Sequence, residues 1–423
     1  MQIKSIFSSK SVIDFLYMFF SNIIKKVFGF VREIILAFLF GSSIAYANYL
    51  LLKTVAEFFS QLTLGNALQA NLMPKFTQLY AKYDSIDLSE VLTFSKSVIW
   101  KLFLVSQIVQ LPIIWIIQPE QKVVFIIISI LLGLVMSINF FNSVFLTILQ
   151  AKGEFKKHSI ATTLNLFVST FVLYPFALFF DIIGVVTSRL IGVGTLLVKY
   201  IRPLLLDKGE EKVVLKFSDF NLSIMLLGNF VNIIILLGRF VSGIEGGNDI
   251  AFFSYSVVLL NALFTAVILN VNTIVLKYIS VKKNSKIILF STIVSLLISG
   301  VLVLVVQLFS VEIIGLFFER GAFTAKDTLE TASYLRSISW SFIFIFVASS
   351  LFQPYFALPA AYLNQKAKSL AQPFILAILL FLIYFYVNGG SAKLNSLIMI
   401  HGLSLVTFIL SIFAFRNYYR YEN

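Results

Sequence analysis

The sequence lacks cysteine altogether and contains only two histidines, His158 and His401, among its 423 residues. Without cysteine the chain has no disulfide, no thiolate nucleophile and no cysteine-ligated metal, and two histidines are too few for an ordinary histidine metal site. Charged residues are also scarce, at 13% of the chain. We therefore expect no metal, no cofactor and no redox chemistry.

Long apolar runs are what the sequence has in abundance. The chain is 59% hydrophobic with a mean hydropathy of +0.94, and apolar runs long enough to cross a bilayer recur along its whole length. A segment such as "IILFSTIVSLLISGVLVLVVQLF" is continuously apolar, whereas the strands of a membrane barrel alternate over about ten residues. The sequence therefore predicts an all-α polytopic membrane protein.

Polar breaks between these runs predict twelve transmembrane helices in two groups of six. The predicted spans are 11–40, 44–72, 92–117, 122–150, 158–180, 182–200, 217–242, 249–276, 285–317, 329–359, 370–387 and 394–415. The longest connection is the basic segment "KYIRPLLLDKGEEKVVLK" between spans six and seven. We expect it to divide the chain into an N-terminal six-helix lobe, 1–205, and a C-terminal six-helix lobe, 206–423.

The net charge of +13 is explained by membrane topology. Cytoplasmic loops of membrane proteins carry an excess of Lys and Arg. If the N-terminus is cytoplasmic, only four of these residues fall in external segments: Lys122, Arg320, Lys326 and Lys393. We therefore expect both termini in the cytoplasm and no nucleic-acid partner.

The first predicted helix contains four charges, Lys25, Lys26, Arg32 and Glu33. A Lys or Arg at mid-membrane costs about 2.5–3.5 kcal/mol, so these side chains must face protein or water. Lys25 and Arg32 are seven residues apart and share one face, and Lys26 and Glu33 share the adjacent face. Alternatively, Lys26 and Glu33 neutralise each other and the lysines extend to the cytoplasmic edge.

The second predicted helix continues this polar pattern, with Lys53, Glu57, Ser60, Gln61 and Gln69 along one stripe. Two neighbouring helices with polar faces predict a hydrated cavity in the first lobe. Lys53 and Glu57 are four residues apart, so a structural ion pair is the alternative to contact with a ligand.

A cavity with mostly positive charges suits an anionic ligand. Arg offers a planar pair of donors to phosphate and Lys offers a compact charge, so Lys25, Lys26 and Arg32 together would fit a diphosphate. In the second lobe Arg239 lies near the outer end of span seven. The alternative for this residue is that its side chain only extends to the membrane–water interface. The predicted substrate-binding residues are Arg32, Lys26, Lys25, Lys53, Glu57 and Arg239.

Two motifs resemble the MurJ-type lipid II flippases. The stretch "KVFGFVREIILAFLFGSS...ANLMP", from Lys26 to Pro74, is similar to the opening two helices of that family. The segment "GLFFERGAFTAKDT", from Gly315 to Thr328, is similar to the one that precedes the family's tenth helix. The resemblance implies the MOP-superfamily flippase fold, with two six-helix lobes around a central cavity that opens alternately to each side.

The sequence also departs from this family at functional positions. Ser60 and Val257 stand where the family has Arg, Ala47 stands at an acidic position and Gly65 at a Glu position. Twelve spans are predicted here, and the family usually continues with two more. These departures favour a substrate other than lipid II.

We therefore expect a flippase that moves a polyprenyl-diphosphate-linked glycan to the outer leaflet of the bacterial cytoplasmic membrane by alternating access. Its partners would be this glycan and membrane lipids, and we expect a monomer. A lipid II flippase is the first alternative. A cation-coupled drug exporter would place acidic residues in its cavity, a glycan-processing enzyme would carry catalytic groups on a sizeable external loop, and a scaffold without transport is the last alternative.

Overall fold

The computed structural model describes residues 9–63, 66–83, 85–117, 119–205, 209, 211–216, 221–262, 264, 285–356, 358 and 360–422. Its helices, in chain order, are α1 (Ser9–Phe40), α2 (Ile44–Thr63), α3 (Asn66–Tyr80), α4 (Ser89–Ile117), α5 (Lys122–Ala151), α6 (Phe155–Leu196), α7 (Arg202–Leu205), α8 (Leu222–Gly228), α9 (Phe230–Gly243), α10 (Asp249–Ala262), α11 (Ser285–Phe318), α12 (Ala325–Phe356), α13 (Ala360–Asn388) and α14 (Ala392–Glu422). A π-helical turn, Leu197–Ile201, joins α6 to α7. Strands β1 (Ile86–Asp87) and β2 (Glu211–Lys212) pair in parallel.

These helices confirm the predicted polytopic membrane protein. Seven described helices are long and apolar enough to cross a bilayer, and α8 with α9, bent by 77°, gives an eighth span when counted as one. The helical run from α6 to α7 covers 51 residues, about 77 Å, which is far longer than a hydrocarbon core of about 30 Å. Asp181 breaks this run with φ 52° and ψ −136°, where the sequence predicts the end of span five.

The exposure pattern of α11 is that of a membrane helix. Ser291, Ser295 and Ser299 are buried at intervals of four residues, whereas Leu297 and Leu304 are 64% and 63% exposed. A helix in water would bury the leucines. In a bilayer, lipid covers the large apolar side chains and small residues let helices approach closely, which explains the inverted pattern.

The described chain divides into two compact units. Unit 1 combines Met1–Ile35 with Val55–Asn221, and unit 2 combines Leu36–Thr54 with Leu222–Asn423. Helix α1 thus contributes its C-terminal turns to unit 2. After α2, the boundary between the units lies between Asn221 and Leu222. The sequence predicts the boundary between the two lobes between residues 205 and 206.

The position of the later boundary follows from packing in unit 1. The segment after α7 returns to this unit, because β2 pairs with β1 and because Val213 and Leu215 are buried in the unit 1 core. Lys75 Nζ also donates to the main-chain oxygen of Val214 at 2.8 Å. The basic connection is therefore largely part of the first unit.

Aromatic side chains form much of the core of unit 2. The ring of Tyr255 lies 5.1 Å from that of Phe318 and 5.2 Å from that of Phe323, measured between centroids. All three are fully buried. Large buried rings supply apolar surface and mutual edge contacts, so this cluster fixes α10 against the α11–α12 connection.

Candidate functional site

Helices α1 and α6 lie side by side and parallel in unit 1. Lys25 Nζ donates to Thr162 Oγ1 at 3.3 Å, and Arg32 Nη1 donates to the main-chain oxygen of Ser169 at 3.1 Å. Arg32 follows Lys25 by seven residues, and Ser169 follows Thr162 by seven residues. The two helices therefore advance together in the same direction. The prediction that Lys25 and Arg32 share one face is confirmed, and that face packs on α6.

Arg32 is buried, with 3% of its surface exposed. Its Nη1 also contacts Ser188 Oγ at 3.3 Å, and its Nη2 donates to the main-chain oxygen of Val185 at 3.0 Å and to Ser188 Oγ at 3.3 Å. Ser169 precedes the break at Asp181 and the other two acceptors follow it. One guanidinium therefore joins α1 to both halves of α6. These acceptors carry no formal charge, and they orient the guanidinium group.

The remaining charges of α1 are more accessible. Lys25 and Glu33 are half-buried, and Lys26 is exposed. Lys26 and Glu33 occupy the face adjacent to that of Lys25 and Arg32, as their spacing predicts. Their mutual neutralisation stays a prediction.

Glu57 of α2 pairs with a residue that the sequence analysis missed. Arg189 Nη1 of α6 lies 3.4 Å from Glu57 Oε1, and the side chains are 24% and 30% exposed. Ser60 and Gln61, one turn further along α2, are half-buried. The predicted polar stripe of α2 therefore has a cationic partner on α6, and the side chain of Gln69 lies outside the described residues.

A signal for Arg189 exists in the sequence. It lies inside the predicted span 182–200, and an ionisable residue within a membrane helix is by itself a functional candidate. Ser188, by contrast, gives no such signal, because serine is common in membrane helices and its contact with Arg32 depends on the packing of α1 on α6.

The two predicted site residues of unit 2 are both buried. Lys53 lies on α2 and Arg239 lies on α9, and each is less than a tenth exposed. Arg239 is therefore enclosed by protein and does not reach the interface in this conformation. Of the positions that depart from the MurJ-type pattern, Ala47 and Val257 are also buried in unit 2, and Gly65 lies outside the described residues.

The two motifs that carry the family resemblance meet within unit 2. The α1–α2 turn packs on the α11–α12 connection, where the main-chain N–H of Ala322 donates to the main-chain oxygen of Phe38 at 2.8 Å. Tyr255 Oη donates to the main-chain oxygen of Gly41 at 2.9 Å. A Cβ at Gly41 would lie 2.3 Å from the oxygen of Ala322, and its φ is +53°. Glycine is therefore required there by close approach as well as by backbone conformation.

Thr324 and Asp327 form a capping box at the start of α12. The main-chain N–H and Oγ1 of Thr324 donate to Asp327 Oδ2 at 2.7 and 2.8 Å, and the N–H of Asp327 lies 3.4 Å from Thr324 Oγ1. Ser42 Oγ of the α1–α2 turn donates to the other carboxylate oxygen. Asp327 therefore both caps α12 and holds the turn, so this motif has a structural role.

The arrangement in unit 1 has the side-chain chemistry of an anion site. It places the cations of α1 and Arg189 of α6 on helices that are joined by Arg32, with Glu33 and Glu57 as the nearby carboxylates along α1 and α2. Guanidinium and ammonium groups are the usual phosphate ligands. Within the described ranges, no three His, Cys, Asp or Glu side chains are grouped as metal ligands.

No family model matches the sequence, and no curated protein matches it significantly. Solved structures do match. Lipid II flippase MurJ, in an inward closed conformation, matches with a TM-score of 0.71 and 17% identity over 96% of this chain and 87% of that chain.

Two further structures extend the comparison. An inward-facing multidrug resistance MATE family transporter of the MOP superfamily matches with a TM-score of 0.63 and 13% identity over 94% of each chain. A MOP superfamily transporter from Pyrococcus furiosus, described as having a binding pocket of reverse polarity, matches with a TM-score of 0.52 and 16% identity over 98% of this chain and 94% of that chain. At these identities the similarity shows the fold, which is that of MOP-superfamily transporters.

Proposed function

We propose that this protein is a flippase that moves a polyprenyl-diphosphate-linked glycan from the cytoplasmic to the outer leaflet of the bacterial cytoplasmic membrane. The observation that carries this proposal is the set of cations on α1, where Lys25 and Arg32 both pack on α6. Charges within a membrane helix are costly and are retained for function. Three cations and one carboxylate within nine residues suit the diphosphate head of a lipid carrier.

The cations of α1 have different parts in the proposed mechanism. Lys26 is exposed and Lys25 half-buried, so these ammonium groups meet the diphosphate first. Arg32 is oriented by three neutral acceptors on α6. To bind phosphate, Arg32 exchanges some of these acceptors for phosphate oxygens. Substrate binding therefore changes the contacts that hold α1 against the two halves of α6. Glu57 contributes by orienting Arg189.

Lys53 and Arg239 are the proposed substrate-binding residues of unit 2. Both are buried cations, and an ionisable residue within a membrane segment is a functional candidate. Transport by alternating access exposes the same cavity to each side in turn, and the lipid tail stays in the bilayer. We propose that both termini are cytoplasmic and that the protein acts as a monomer with membrane lipids around it.

Two alternatives follow from the solved structures. The structure with a TM-score of 0.71 is named a lipid II flippase, which makes lipid II the first alternative substrate. Ser60 and Val257 replace two arginines of the MurJ-type pattern, which favours another carrier-linked glycan. The MATE transporters are named for multidrug resistance, but the net positive charge of α1 disfavours an exporter of organic cations.

The test is transport of a defined substrate by purified protein. Vesicles that contain the protein and a fluorescent polyprenyl-diphosphate-linked oligosaccharide should expose the oligosaccharide of both leaflets to a membrane-impermeant quencher, whereas vesicles without protein should expose only the outer half. Deletion of the gene should cause one lipid-linked glycan to accumulate on the cytoplasmic side, which identifies the glycan. Absence of protein-dependent exposure with every diphosphate-linked oligosaccharide would contradict the proposal.

A further inference from the structure

A groove of about 600 Å³ lies between α1 and the first half of α6, within unit 1. Its walls are aromatic, with Tyr17 and Phe20 on α1 and Phe167 on α6. These three rings are exposed, so the groove opens at the surface of the helix pair. It is distinct from the acceptors that hold Arg32, because none of them lines it.

Small residues form the floor of this groove. Ser21 Oγ donates to the main-chain oxygen of Ser159 at 3.0 Å and lies 2.7 Å from Thr163 Oγ1. The hydroxyl groups are thus satisfied by protein and do not require water in the groove. Small side chains between large rings leave a trough that is almost wholly apolar, so its occupant must be apolar as well.

The length of the groove matches one leaflet of a bilayer. From Tyr17 to Phe28, α1 rises about 16 Å, which is half of a hydrocarbon core of about 30 Å. At the Phe28 end the rings of Phe28 and Phe167 meet edge to face across the groove, with 5.3 Å between centroids. An acyl chain of a phospholipid fits this length, whereas a polyprenyl chain of many isoprene units is longer.

A cation lies at the other end of the groove. Lys156 Nζ lies 5.1 Å from the centroid of the Tyr17 ring, and the lysine side chain is exposed. The neighbouring Lys157 has a different partner, since its Nζ lies 2.9 Å from Glu154 Oε2. If an acyl chain enters the groove beside Tyr17, the phosphate of the same lipid lies at this end. Lys156 is therefore the ammonium group that is placed to contact that phosphate.

We propose that this groove binds one acyl chain of an anionic membrane phospholipid, whose phosphate contacts Lys156. The chain would cover the rings of Tyr17, Phe20 and Phe167 and would fill the trough between α1 and α6. Bound there, the lipid stabilises the helix pair that also carries Lys25. This site is separate from the proposed diphosphate site, and its test does not depend on transport.

The headgroup is tested with purified full-length protein in detergent, by native mass spectrometry during titration with phosphatidylglycerol or phosphatidylcholine of identical acyl chains. We expect one retained lipid and about a fivefold preference for phosphatidylglycerol, the factor that one lysine near a lipid with a net negative charge provides. Lys156→Gln should abolish the preference. Lys157→Gln, the matched control, removes the same charge from the next residue and should preserve it. Equal effects of the two substitutions would overturn the proposal.

The groove is tested by filling it. Thr163→Trp places a large ring on the floor of the groove. Ile160→Trp also places a ring in the groove, and because Ile160 is exposed, this substitution should disturb folding less. Each variant that keeps the wild-type melting temperature in detergent should lose the retained lipid of either headgroup. Leu304→Trp, on the exposed face of α11, is the control and should keep it.

Two results would overturn the assignment of the occupant. Retention of one tightly bound lipid by Ile160→Trp would show that the groove is not the site. Mass spectrometry of the lipid that copurifies with wild-type protein should find a phospholipid. A polyprenyl phosphate or diphosphate in its place would identify the groove with the carrier lipid.

Discussion

Arg189 of α6 and Glu57 of α2 form an ion pair in unit 1, with 3.4 Å between Nη1 and Oε1. The preceding residue, Ser188, accepts hydrogen bonds from Arg32 of α1. Successive residues of α6 therefore contact α1 and α2, and Arg189 follows directly on a residue that contacts Arg32 of α1. This relationship makes Arg189 part of the proposed diphosphate site.

Arg189 should matter more for transport than its partner. The pair is partly exposed, and such pairs contribute little to stability. Loss of a charge-assisted contact to phosphate costs roughly tenfold to a hundredfold in binding. We expect Arg189→Gln to slow flipping at least tenfold and Glu57→Gln to slow it much less, measured in the vesicle assay at matched protein content. Equal defects would indicate a purely structural pair.

Arg32 should be required for both transport and stability. Arg32→Ala removes the donors that join α1 to Ser169, Val185 and Ser188, so we expect a lower melting temperature and loss of transport. Arg32→Lys keeps the charge without the planar pair of donors and should give an intermediate defect. Lys26→Ala, an exposed position, should have the smaller effect. Full activity of Arg32→Ala at normal abundance would contradict this role.

The orientation in the membrane can be tested by labelling, because the chain has no cysteine. Lys326 is exposed at the start of α12, and the side chain of Lys157 is 64% exposed near the start of α6. The distribution of Lys and Arg places the first outside and the second inside. In intact cells, Lys326→Cys should react with an impermeant thiol reagent and Lys157→Cys should not. The reverse pattern would invert the topology.

The substrate should be a glycan carrier other than lipid II. Because Ser60 and Val257 replace arginines of the MurJ-type pattern, we expect that the protein will not support growth when a lipid II flippase is depleted. It should restore export of a surface glycan in a strain that lacks the matching flippase. Growth after depletion at ordinary expression would instead favour lipid II as the substrate.

The contact between the α1–α2 turn and the α11–α12 connection should be sensitive to a single methyl group. Gly321 has φ +61°, and its Cβ would lie 2.4 Å from the main-chain oxygen of Phe38. Gly153 has φ +79° with open space around it. Gly153→Ala should therefore cost only the backbone strain, about 1–2 kcal/mol, and Gly321→Ala should lower the melting temperature clearly more. Equal shifts would show that the turn adapts without cost.

The sequence by itself determined the class of the protein and the faces of its helices. Apolar runs predicted the membrane helices, because a segment within lipid must satisfy its backbone hydrogen bonds internally. The polar break in the sequence placed the end of span five next to Asp181, where the helix is broken. Helical periodicity placed Lys25 and Arg32 on one face. The capping contact between Thr324 and Asp327 is likewise local, since it joins residues three apart.

Only the tertiary structure decided what those faces contact. The acceptors of Arg32 are more than a hundred residues away along the chain, as is the partner of Glu57. Periodicity gives the direction of a side chain from its own helix but not the helix that packs there. The same reason applies to Gly41, whose close approach to Ala322 depends on a turn and a connection far apart in sequence. Local sequence therefore determined which face of its helix each charge occupies, and helix packing determined which residues it contacts.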